Sequence, residues 1–181
     1  ASKVACFIMK PDGARASDRT ITAAGVGYVQ SRGVRAGAVV DVDQAAHAIA
    51  QAVDRAEALA GVSVSGVTVS MAGGQLASCR LAATVSLGAR PIADTDLTRA
   101  VSAATAGLRL PGRRIIHVRP IAWTIDGQRR VHDPRAMFGR ALHLQLLVVS
   151  MNESVFQTLS HCVERAHLQL QGVVAAPFAS A

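Results

Sequence analysis

The chain has 181 residues, half of them apolar and 3% aromatic, with a net charge of +7. That length holds one core of ordinary size or two small ones, and Ala and Val carry most of the apolar count, so packing relies on small side chains. No apolar run approaches the ~20 residues of a membrane-spanning helix. No secretory leader is expected, and the abrupt start inside strand-like sequence reads as a cut piece. Cys6, Cys79 and Cys162 stand far apart without a C-x-x-C, which argues against a disulfide framework or zinc cluster and fits a reducing cytoplasm. Six acidic residues face seven basic ones up to Met71, four face eleven from Ala72 to Ser150, and two face one thereafter. The middle third therefore holds the excess charge, the first pointer to a partner.

Lys3 to Met9 reads as a strand, Pro11-Asp-Gly13 as a turn, and Thr20 to Val29 as a second strand, a hairpin-like opening. Gly25-Val-Gly27 invites comparison with the dinucleotide fingerprint, but Gln30 occupies the third glycine's place and no helix begins near enough to face a pyrophosphate. Ser31 to Asp43 is a glycine-rich, basic loop leading into a helix. Asp41 is its N-cap, with Gln44 placed as in a capping box, and Val42, Ile49, Val53, Ala56 and Ala60 recur at helical spacing until Gly61. Gly66 to Met71 reads as a buried strand and Ala72-Gly-Gly74 as a sharp exit from a sheet.

Leu76 to Leu87 is strand-like, and Asp94 opens a second helix with Leu97, Val101, Ala104 and Leu108 on one face. Arg114 to Arg119 and Ala122 to Ile125 read as short strands around Pro120, followed by an Asp126-Gly127 turn and a loop from Asp133-Pro134. Leu142, Leu144 and Leu146 alternate with His143 and Gln145, the pattern of a strand with one buried face. A third helix runs from about Asn152 to Ala166, with Val155, Leu159, Cys162 and Ala166 inside, and Gly172 to Ala175 closes with a strand. The order suggests a sheet domain interrupted by a small α+β insert.

Catalytic motifs are scarce. Gly61 to Gly66 misses the nucleophile elbow by one residue and follows a helix instead of preceding one. Asp41 with Asp43 and Asp94 with Asp96 sit at helix starts, where capping and the helix dipole explain them better than metal binding. The six histidines form no metal-ligand spacing; His161 and His167, six apart, point to different helix faces. The arginines stand out: Arg113, Arg114, Arg119, Arg129 and Arg130, with Arg135 and Arg140 nearby. A solvated basic face is the ordinary explanation; a dock for an acidic protein segment is the functional one, with anionic lipid or nucleic acid as alternatives. Trp123 is the only tryptophan, so base-stacking platforms are not visible and no nucleic acid is expected.

Taken together, these stretches resemble the bacterial cell-division FtsA family of actin-like ATPases. Ser2-Lys3-Val4 is similar to the tail of that family's first phosphate hairpin. Gly25-Val-Gly27, Ser31-Arg-Gly33 and Gly37 to Asp41 are similar to its loop into the first helix. Ile116-His-Val118, Pro120, Ile125-Asp126, Asp133-Pro134, Met137 and Gly139 resemble the insert's strands. Cys162-Val-Glu-Arg-Ala166, Gly172 and Phe178-Ala-Ser180 resemble the return helix and strand. The resemblance implies an α/β, actin-like (ribonuclease H-like) subdomain 1A, residues 1–71 and 151–181, interrupted by the small α+β subdomain 1C, residues 72–150.

It further implies ATP and Mg in the complete protein, with at most weak ATPase activity and none from this stretch alone. Ser2 and Lys3 would face the nucleotide, while the second phosphate motif, the adenosine motif, the FtsZ-binding subdomain and the C-terminal membrane helix would lie outside it. The implied setting is the cytoplasmic face of the inner membrane at the division site. The implied partners are FtsZ, later division proteins and neighbouring subunits of a filament, with Arg113, Arg114, Arg119, Arg129 and Arg130 on a partner-binding face of the insert. Ile121-Ala-Trp123 and Arg129-Arg130 depart from the family's usual Gln-Glu-Tyr type and acidic residues. A related pilus-assembly actin-fold protein, or a basic binding module for acidic partners or nucleic acid, are the competing readings. A sugar-kinase-like enzyme ranks last, because no sugar-binding carboxylates are present.

Overall fold

The computed structural model describes residues 3–12, 20–73 and 75–179. Ser2, Gly13 of the first expected turn and Gly74 fall outside that range, as do the side chains of Asp12, Arg129 and Arg130. Two compact units emerge, Ala1–Gln75 with Glu153–Ala181, and Leu76–Asn152.

The first unit opens with an antiparallel hairpin of β1 (Lys3–Asp12) and β2 (Thr20–Gln30), bulged between Ile8 and Met9. Helix α1 (Val42–Ala60) packs on it. Asp41 caps this helix: the Gln44 N–H donates to Oδ1 at 2.9 Å, and Gln44 Nε2 donates to Oδ2 at 2.8 Å instead of returning to the cap backbone as a full capping box would. Gly61 ends it at φ +65°, its N–H donating to the Glu57 carbonyl at 2.8 Å, a conformation that costs other residues about 1 kcal/mol or more.

The inner stripe of α1 departs from the expected one. Ala45, Ala46, Ala48, Ala52, Val53 and Ala56 are buried, whereas Val42, Ile49 and Ala60 are only half-buried. The reason lies in the strand beneath. A Cβ on Gly25 would stand 2.0 Å from the Ala56 carbonyl oxygen, and one on Gly27 would stand 1.9 Å from that of Ala52. Helix backbone thus rests almost directly on strand backbone. At the two contacts, Ala52 and Ala56, so close an approach leaves room only for alanine, and of the larger apolar side chains on α1 only Val53 is buried.

Between hairpin and helix, β3 (Val34–Arg35) and β4 (Ala38–Val39) turn at Ala36-Gly37, both with positive φ. Strand β5 (Gly66–Met71) pairs in parallel with β10 (Gln169–Ala175). The expectation of a buried strand holds only for Met71; the rest of β5 is half-buried or exposed, since β10 is its one strand partner among the described residues. Helix α3 (Glu153–Arg165) buries Leu159, Cys162 and Val163, and Arg165 Nη2 meets Asp43 Oδ1 of α1 at 2.6 Å. The short α4 (Ala176–Ala179) follows β10.

The second unit is a four-stranded sheet, in the order β6 (Ala77–Ser86), β9 (Ala141–Asn152), β7 (Arg113–Ile125), β8 (Gln128–Val131), with α2 (Asp94–Thr105) on one face. Leu142, Leu144 and Leu146 are fully buried beside Val85, Trp123 and Ile125, as the alternation predicts. Each such leucine contributes roughly 1.5–3 kcal/mol. The two short strands expected around Pro120 are one strand of 13 residues, irregular in register at Ile115/His117 and again at Pro120/Ala122. Proline lacks a ladder N–H, and the second bulge absorbs it without ending the strand. Asp126 and Gly127, at φ 46° and 85°, make the left-handed pair that joins β7 to β8.

Candidate functional site

Two sets of residues carry the functional expectations, the start of β1 and the arginines of the second unit. Lys3 pairs with Gln30 across the hairpin, and its Nζ lies 5.2 Å from the centroid of the Tyr28 ring. Phe7 meets the same ring edge-on, at 5.8 Å between centroids. The ammonium thus has an aromatic partner on an exposed hairpin face, a contact worth about 0.5–1 kcal/mol in water. Ser2, its expected companion, lies outside the described residues. The glycine-rich loop has structural employment: the Gly33 carbonyl accepts the N–H groups of Val40 and Asp41 at 2.8 and 3.1 Å, and Gly37 packs backbone to backbone on Gly73.

In the second unit all four carboxylates are engaged locally. Asp96, 3% exposed, accepts the Ala93 N–H at 3.1 Å, both terminal nitrogens of Arg90 at 2.9 and 3.1 Å, and Arg99 Nη2 at 3.2 Å. The backbone N–H of Ala93 first, and the Arg90 side chain next, hold its carboxyl below the usual carboxylate range. Asp133 accepts the Arg135 N–H and Nη1, which lowers its pKa too, while Arg135 Nε reaches Asp94 at 2.6 Å. Asp126 takes the N–H groups of Arg140 and Ala141 beneath the hairpin turn, and these two bonds depress its pKa.

The predicted arginines do not act as one cluster. Arg113 turns inward: Nε donates to Ser150 Oγ at 2.9 Å and Nη2 to the Ser150 carbonyl at 3.0 Å, satisfying a serine only 3% exposed. Arg114 and Arg119 are exposed along β7. Arg129 and Arg130 lie on β8, their side chains outside the described set. Sequence reading missed the Asp96 anchor, taken for a simple cap, and missed Arg80 on β6. The only signal for Arg80 was a charge at an outward position of an alternating strand.

Among the described residues no group of His, Cys, Asp and Glu could hold a metal ion. Burial pushes the Cys6 thiol up, with Glu57 adding to it, and burial does the same to Cys162, so neither is an activated nucleophile. No described helix is long and apolar enough to cross a membrane.

The two units define a class: an actin-like α/β protein with an inserted strand-and-helix subdomain. The fold of a chain in the PilM-PilN type IV pilus biogenesis complex matches 99% of this chain and 46% of its own length, with a TM-score of 0.63 at 12% identity. Residues 73–150 match the family described as the SHS2 domain inserted in FtsA. Cell division protein FtsA of Agrobacterium fabrum is 36% identical over 156 residues, 86% of this chain and 35% of that protein. FtsA of Rhizobium meliloti is 35% identical over 161 residues, 89% and 36% of the two chains, and that of Streptococcus pneumoniae 32% over 157 residues, 86% and 34%. Residues 73–150 thus belong to the family of the SHS2 domain inserted in FtsA, and the chain, similar to FtsA over most of its own length, spans a little over a third of the length of these relatives.

Proposed function

We propose that the chain is part of an actin-like, ATP-binding scaffold of bacterial division. In the complete protein it would tether the FtsZ ring to the cytoplasmic face of the inner membrane and recruit later division proteins. Residues 1–71 and 151–181 would form subdomain 1A, and residues 72–150 subdomain 1C, which makes filament and partner contacts. The observation that carries this reading is identity of 36% to a division protein across 86% of the chain, together with the family match over residues 73–150. The pilus-assembly alternative rests on fold likeness alone.

ATP with Mg is the proposed ligand of the complete protein, with hydrolysis weak at most. Ser2 and Lys3 would contribute one wall, a hydroxyl and an ammonium toward phosphate oxygens. Lys3 would have to leave the Tyr28 ring to do so, a modest cost. The partner face would use Arg114, Arg119, Arg129 and Arg130, with Arg113 as its support against Ser150.

Calorimetry of Mg-ATP with the complete protein and its Lys3→Ala variant tests the nucleotide part: binding that weakens in the variant supports it, and no binding by either sinks it. Depletion of the complete protein tests the cellular part. Elongated, undivided cells are expected, and normal septation would remove the division reading.

A further inference from the structure

One face of the insert's sheet packs on α2; the strand register assigns a different set of side chains to the other. Directly opposed residues share a face, so three rows cross the helix-free side: Thr84, His143 and Thr124; Ala82, Gln145 and Ala122; Arg80, Leu147 and Arg119. Thr84 Oγ1 and His143 Nδ1 lie 3.0 Å apart, which ties the first row together. In the second row small alanines on both sides of Gln145 leave the surface low. On the Ala122 side of this row, toward β8, a groove of about 950 Å³ opens, lined by Ile121, Ala122, Thr124, His132, His143 and Gln145 among others, with Ile121 bulged out of register and 45% exposed; Ala82 and Arg80 lie beyond its β9 edge.

No acidic residue lies in the three rows or lines the groove. The insert's four carboxylates are committed to the start of α2 and the hairpin turn, so among the described residues Arg80 and Arg119 have no ion pair. They are exposed and flank Leu147 across two strand spacings, about 10 Å. That separation suits two carboxylates two to four residues apart on an extended chain at ~3.3 Å per residue.

We propose that this helix-free face docks an extended acidic segment of a partner protein, its carboxylates on Arg80 and Arg119 and its backbone over the floor formed by Ala82 and Ala122. The inference rests on the reading that the insert makes partner contacts, and it redraws the surface: Arg80 joins, Arg119 stays, and Arg113, turned to Ser150, leaves the contact set. A protein segment fits better than a nucleic acid because Trp123 is buried and no Phe, Tyr or Trp stands on these rows, while the one imidazole, His143, is half-buried and within 3.0 Å of Thr84 Oγ1. It fits better than a bilayer because the groove is concave and mostly lined by small, polar or histidine side chains.

Fluorescence anisotropy of a short, dye-labelled Thr-Glu repeat peptide with the whole chain tests this. The Arg80→Glu/Arg119→Glu pair is expected to weaken binding about tenfold or more, whereas Arg32→Glu/Arg109→Glu, an equal charge change at exposed sites elsewhere, shifts it no more than about twofold. The charge-neutral Ala82→Phe/Ala122→Phe pair, which fills the floor, is expected to weaken it comparably to the first. Native Trp123 emission in each variant shows that the insert is folded. Equal loss in the Arg32/Arg109 variant, full affinity in the Phe variant, or tighter binding to oligothymidylate or phosphatidylglycerol vesicles overturns the proposal. Loss on reversal of Arg129 and Arg130 with no loss at Arg80 and Arg119 would overturn this face while leaving a partner-binding insert standing; the division reading fails separately, in the depletion experiment.

Discussion

The two units reach stability by opposite means. In the first, α1 lies on Gly25 and Gly27 so closely that backbone touches backbone, and the buried helix stripe is almost all alanine. In the second, leucines of β9 interlock with Trp123, Ile125 and Val85, and distance between layers is set by side-chain volume. Charge divides them as well. The first unit is near neutral, while the insert spends its four carboxylates on its own loops and helix start and keeps an arginine surplus outside. An interface lined with glycine cannot accept an added methyl, whereas a core of large residues cannot lose one cheaply.

The chain's single tyrosine, Tyr28, sits in the first unit and its single tryptophan, Trp123, in the second, so each unit has its own optical reporter. The largest effect is expected from Leu144→Ala, which empties a fully buried site: about 4 kcal/mol lost in the Trp123 transition during urea unfolding, with the Tyr28 transition little moved. Gly27→Val should do the reverse, at about 3 kcal/mol, because its Cβ would overlap the Ala52 carbonyl. If either variant moved both transitions equally, the units would not be separately stabilised.

Arg113→Ala should cost the insert about 1 kcal/mol, by stripping Ser150 of its donors. Binding of the acidic peptide should survive in that variant; loss of binding without loss of stability would return Arg113 to the surface set. The smallest effect is on pH. Asp96, Asp126 and Asp133 have lowered folded-state pKa values, so their stabilisation is fully present above the unfolded value of ~3.9 and is lost as pH falls through the lowered ones. Acid titration followed by Trp123 emission should show the insert weakening from about pH 4 downward, and Asp126→Asn should flatten that slope; a drop that begins well above pH 5 would contradict the assignment.

Much of the local structure was legible in the residues. Asp41 followed by Gln44, and Gly61 nineteen residues after the helix begins, mark the ends of α1 because caps are short-range chemistry. The Leu142 to Leu146 alternation marks the buried face of β9, and Asp126-Gly127 marks the turn from β7 to β8, since side-chain period and positive φ belong to the sequence itself. Asp96 looked like any acidic residue in a first helical turn. Arg99, at i+3 on the same helix, is a partner that spacing alone allows, but only the fold put Arg90, outside the helix, on both of its oxygens.

Other features depended on partners distant in sequence. The alanine stripe of α1 is chosen by two glycines about thirty residues earlier, which the helix's own periodicity cannot register. Arg113 and Arg114 are neighbours in the chain, yet one guanidinium ends on Ser150 and the other side chain is exposed, because consecutive strand residues face opposite ways. Arg80 and Arg119 share a row only through β9 between them. The sequence by itself settled the three long helices, most of the long strands, both ends of α1 and the surplus of positive charge, whereas β3, β4, β8, α4 and the continuity of β7 came only with the fold. Which arginines are structural and which share an open face was decided by sheet register, a long-range pairing that exists only once the strands have met.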